Sequence, residues 1–259
     1  MKKYLLLFIT ILTLSFDGKA QIDDNPIYIL SEKLYQNEML ANRFFKNFVF
    51  IKTNTFKKKA LLDMDKSLAK FDDNLSYIIL HLPENKDAQE NFIKLQNFWN
   101  LYRIAITNYE QKNYKSLINK TRKFNKMLVK LTSSVLHKHP KYAHHKKMME
   151  MAQHVADNQK NIDNIAIAYV LKGGLEMEDA YNYFDISFGD LKKGLKKLGK
   201  NKTIAAKATG IVNDLRITLE SIKDLYDKDG YKPKMMFSNI NNYAKKSFKL
   251  LDFIINNLK

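Results

Sequence analysis

The chain has 259 residues, a formal net charge of +17, 45% hydrophobic and 27% charged residues, but only 8 glycines, 4 prolines and no cysteine. So few turn-formers argue against a fold of many short strands and favour long helices, and the absence of thiols excludes disulfides and the lipid-anchored kind of export signal. Arginine occurs only at Arg43, Arg103, Arg122 and Arg216, so the charge is carried by lysine, a hydrated point charge poorly suited to forked recognition of phosphates and bases; no nucleic-acid partner is expected.

The first segment reads as a targeting signal. Lys2 and Lys3 precede an apolar run from Tyr4 to Phe16, too short to span a bilayer, and Gly18-Lys19-Ala20 places small residues where a leader peptidase needs them. Residues 1–20 are therefore expected to be a signal peptide cut after Ala20, placing the mature chain in the periplasm or outside the cell.

Beyond it, apolar residues recur at alternating steps of three and four. Leu30, Leu34, Asn37, Ala41, Phe44, Phe48 and Ile51 form one stripe, opened by Asn25-Pro26. Leu61, Met64, Leu68, Phe71, Leu75, Ile78 and Leu82 form the next, ended by Pro83. Phe92, Leu95, Trp99, Tyr102, Ile106 and Tyr109 follow, then, past Lys112-Asn113, Leu117, Thr121, Phe124, Leu128, Leu131 and Val135. Each stripe predicts an amphipathic helix about 30–40 Å long, and such helices bury their apolar faces by packing side by side.

After Pro140 the pattern repeats. Met148 to Tyr169, Tyr181 to Leu198, Ile204 to Leu225 and Ile240 to Ile254 carry four more stripes, divided by Gly173-Gly174, Gly199 and Asp229-Gly230. Overlaying the halves puts Asn37 on Gln159 and Asn42 on Asn164 in the first helix, and Asp65 on Asp185 and Ser67 on Ser187 in the second. The expected fold is all-α, two tandem antiparallel four-helix bundles spanning 21–140 and 141–259, joined near Pro140 by a basic hinge.

The first helix of each half carries a motif. Asn37-Glu38-Met39-Leu40-Ala41-Asn42-Arg43 resembles the Gln-Arg-Met-Leu-Ser-Gln-Arg string of the type IV pilus methyl-accepting chemotaxis transducer N-terminal domain, the PilJ-type helical sensor, which is related to the sensor regions of nitrate/nitrite sensor kinases. Gln159-Lys160-Asn161-Ile162-Asp163-Asn164-Ile165 is a weaker copy. The resemblance implies a four-helix sensor module that recognises a small ligand outside the cytoplasm. Where the family has its first motif arginine this chain has Glu38 and Lys160, and the second becomes Arg43 and Ile165. A carboxylate is no anion clamp.

The candidate ligand-binding residues are Asn37, Asn42, Arg43, Gln159, Lys160 and Asn164. Amides inside an apolar stripe have two readings: they fix helix register, or they line small polar pockets between helices. His137, His139, His144 and His145 lie among Lys138, Lys141, Lys146 and Lys147, which reads as a solvated basic segment rather than a metal site. Trp99, Tyr102 and Tyr109 read as core or pocket wall, Asp65 and Asp185 lack an acid–base partner, and no nucleophile triad or phosphate loop is present. Neither an enzyme nor a cofactor is expected. The partners to expect are a small polar ligand and an envelope protein that reads the signal out, with a homodimer as an option. The rival reading is a basic envelope protein contacting anionic membrane or polyanion.

Overall fold

The computed structural model describes residues 25–110, 114–137, 139, 142–171, 174–197, 202–227 and 230–257. The expected signal peptide, the breaks at Lys112-Asn113, Gly173 and Gly199, and the hinge residue Pro140 lie outside them, as do the side chains of His144 and His145. The described residues form helices and no strand: α1 (Asn25–Lys52), α2 (Lys57–Leu80), α3 (Lys86–Thr107), α4 (Tyr114–Leu136), α5 (Tyr142–Leu171), α6 (Gly174–Lys197), α7 (Lys202–Asp227) and α8 (Pro233–Asn257). The chain is all-α.

Local chemistry sets several of the ends. Asn85 takes extended φ and ψ, and its side-chain oxygen accepts from the Asp87 and Ala88 amides, closing the orphan donors that open α3. Gly230, at φ 74, precedes α8 in a conformation that disfavours any side chain. The α1–α2 turn instead places Phe56 at φ 55, a left-handed residue with a large side chain, at a cost of roughly 1–2 kcal/mol. Its ring is held edge-on to Phe237 of α8 at 5.6 Å, which offsets that cost.

The stripes point inward as their spacing predicts. In the first half Phe44, Phe71, Trp99 and Phe124, one from each helix, meet in a single aromatic cluster, with Phe71 and Trp99 centroids 4.3 Å apart. Trp99 also donates from its indole N–H to Asp72 at 3.0 Å, so this aromatic is core with a satisfied polar end. In the second half Phe184 packs edge-on against Tyr243, whose hydroxyl donates to Asn158.

Within the first half α1 packs on α2 and α4, and α3 packs on α4; within the second, α5 packs on α6 and α8, and α7 on α8. The core does not divide at Pro140, because α1 also packs along α5 and one continuous apolar cluster runs from Ile27 to Ile255. Contacts between the two helices advance together, Tyr35 with Met149, Glu38 with Gln153 and Asn42 with Asn164, so α1 and α5 are parallel. Every residue of α1 from Leu34 to Ile51 is buried. The physical reason is composition: Tyr35, Met39, Leu40, Phe45, Val49 and Phe50 lie off the α1 stripe and are apolar too, so α1 presents apolar groups on every side and is enclosed, its polar residues included.

Candidate functional site

Helical spacing puts Glu38, Asn42 and Lys46, four residues apart, on the side of α1 that faces α5, and turns Arg43 and Asn47 towards α2. These polar groups are sealed in the interior. Asn42 donates to the Asn164 side chain at 3.0 Å and to the Lys160 carbonyl at 3.2 Å, and accepts from Asn125 of α4 at 2.6 Å. Asn42 and Asn164 are equivalent in the overlay of the halves.

The six candidate residues do not form one pocket. Asn42, Asn164 and the Lys160 backbone come together at the α1–α5 seam, whereas Asn37 turns towards α2 and accepts from Asn74 at 2.9 Å. Gln159 donates within α5 to Asp163 at 3.2 Å. Arg43 points to α2, where Asp63 takes a forked pair of bonds from its guanidinium. The amides are closed over by packing, Asn37 and Gln159 both being 0% exposed.

Beside them lies a charged cluster. The Lys46 ammonium is fully buried, 3.5 Å from Asp63 and 3.7 Å from Asp163, donates to Asn241 of α8, and sits 5.0 Å over the Phe237 ring. Asn47 gives Asp63 a further bond at 2.8 Å. Two cations, Arg43 and Lys46, thus face two anions, Asp63 and Asp163, so the layer is neutral when all are ionised. Burial would raise the Asp63 carboxyl, but Lys46 and Arg43 outweigh it and hold Asp63 well below the usual carboxylate range. For Asp163 burial wins over the same two cations and the carboxyl is pushed up; burial likewise pushes Lys46 down. Arg43 and Asp63 therefore form the firmly ionised pair, and Lys46 and Asp163 are the strained one.

Farther along the seam Glu38 accepts from Gln153 at 3.0 Å, and burial lifts its carboxyl to about 7, with Thr132, Gln153 and Lys160 opposing and Asp157 adding to the rise. Asp157 is raised as well, chiefly by burial. Asp157 borders an open cleft of about 880 Å³ between α4 and α5, together with Tyr35, Thr132 and Gln153, and Glu38 lies behind Gln153, buried. Among the described residues no group of three or more metal-ligating side chains comes together.

Reading the sequence by stripes finds the amides and misses Lys46, Asp63, Asp163 and Asn241. The signal was there in part, since Glu38-Asn42-Lys46 is a polar row at a spacing of four on a helix that carries apolar residues on every side. Nothing local pairs Lys46 with a carboxylate 117 residues away. In comparisons with known proteins, no family model, no curated protein and no solved structure matches this chain.

Proposed function

We propose that the chain is a non-enzymatic extracytoplasmic sensor or binding module, built of two PilJ-like four-helix bundles in tandem that pair through α1 and α5. It recognises a small polar ligand in the polar layer between these helices and reports through a partner protein in the envelope. The reading rests on the first-helix motif and on one observation in particular: Gln159 Oε1 and Asp163 Oδ1 on α5, the latter 3.7 Å from Lys46, and Asn37 Nδ2 and Asn47 Oδ1 on the α2 side of α1 are buried without a protein hydrogen-bond partner. Buried polar atoms in that state cost about 1–3 kcal/mol each, and a guest that satisfies them recovers it.

Because Asn42 and Asn164 already bond to each other and Arg43 is held by Asp63, a ligand enters only by displacing α1 relative to α5. It shifts the packing only as far as it binds the displaced form better. This coupling of binding to helix movement is what a partner would read. The rival, a lysine-rich surface that adheres to anionic lipid or polyanion, leaves the seam idle.

Thermal melts of the purified protein against a panel of small polar and anionic solutes, at low and high salt, separate the two readings. A seam ligand raises the melting temperature at both ionic strengths, and the rise is abolished in Asn42→Leu and Gln159→Leu. Stabilisation that vanishes with salt and survives both substitutions favours the surface reading. A panel without any stabilising solute removes the sensor proposal.

A further inference from the structure

A groove of about 480 Å³ runs between α2 of the first half and α8 of the second. Lys59, Lys66 and Lys70 lie along one face of α2, seven and then four residues apart, and Lys245 faces them from α8. Asp63 belongs to the same row on α2, but its carboxylate is turned inward and held by Arg43, Lys46 and Asn47. Among the described residues none of these lysines makes an ion pair. Burial, and then Lys33 beside it, push the Lys70 ammonium down, with Glu32 and Asp73 opposing.

Like charges spaced this way on a helix destabilise it. Below them Leu40, Leu62, Phe237 and Phe248 give the groove a largely apolar floor, interrupted by Ser67, Asn241 and the mutually paired Arg43 and Asp63, with Leu62 49% exposed. Four lysines around a concave, largely apolar floor match a ligand with an acid group at one end and a hydrocarbon at the other, and the volume of about 480 Å³ lies within the roughly 300–1,000 Å³ of small-molecule sites. Lysine offers a point charge rather than a fork, so a carboxylate and a phosphate monoester serve equally. A concave floor suits a single molecule drawn out of solution and cannot lie flat on a bilayer.

We infer that the α2–α8 groove binds a free anionic amphiphile, its acid group held by the lysine rim and its hydrocarbon laid on Leu62 and Phe248. The site bridges the two halves and backs on to the charged layer through Arg43, Asp63 and Asn241, and the lysine-rim variants, which leave the α1–α5 amides untouched, separate its failure from that of the seam reading.

Calorimetric titration with laurate and with dodecyl phosphate, each kept monomeric, tests it. Binding is expected for both. Lys66→Gln/Lys70→Gln should weaken it by about tenfold or more. Lys192→Gln/Lys207→Gln, on α6 and α7, should leave the affinity within about twofold. Leu62→Ala should weaken binding while leaving the charge of the lysine rim unchanged. Equal binding of dodecyltrimethylammonium, equal affinity in the groove and control variants, or binding to phosphatidylglycerol vesicles with none to the monomeric amphiphiles would each overturn the inference.

Discussion

Replacing Glu38 with glutamine tests the buried seam most directly. In the folded protein burial lifts this carboxyl from its ordinary 4.5 to about 7. Between those values the folded state holds a proton that the unfolded chain has released, so stability falls as pH rises through this window. Above 7 both states are ionised and the full cost is present, about 3 kcal/mol at 1.36 kcal/mol for each factor of ten in proton affinity. Glutamine keeps the shape and still accepts the Gln153 amide, but carries no charge to desolvate. Urea unfolding followed by circular dichroism from pH 4 to 8.5 should find the variant close to the parent at pH 4 and more stable by up to about 3 kcal/mol at pH 8. Asp157 and Asp163, also raised by burial, leave a residual slope in both proteins. Parallel stability curves from pH 4.5 to 7.5, or a variant less stable at pH 8, would show that Glu38 faces water and that α1 is not enclosed.

Lys46→Met removes the only cation within 4 Å of Asp163 among the described residues and should cost about 3 kcal/mol; adding Asp163→Leu should recover most of it, and purely additive effects in the double-mutant cycle would rule out the pairing. Phe44→Ala opens a cavity among Phe71, Trp99 and Phe124 and should cost about 3–5 kcal/mol in denaturant melts. A cost below about 1 kcal/mol would mean the aromatic cluster is not packed as described.

The Asn42 bridge explains why amides recur in both first helices. A leucine at that position would leave the Asn164 side chain, the Lys160 carbonyl and the Asn125 amide without it, and each of these lies on a different turn or helix. Of the two readings open at the sequence level, register and ligand pocket, the resting geometry serves the first, because the amides are bonded to the protein. The second depends on the orphan atoms that the same packing leaves behind.

Helix positions and the inward faces were legible in the amino-acid order, since a 3.6-residue period is a property of the chain itself. Leu34, Phe71, Trp99, Phe124, Ile162 and Leu219 lie inside where their spacing puts them. Which helix each face would meet was not legible. The Arg43–Asp63 pair spans 20 residues and the Lys46–Asp163 pair 117, and their charges find each other only because α1 is enclosed by α2, α4, α5 and α8. Periodicity specifies a face but not its neighbour: the neighbour is chosen by the shared burial of two apolar helices, and that choice is made in three dimensions.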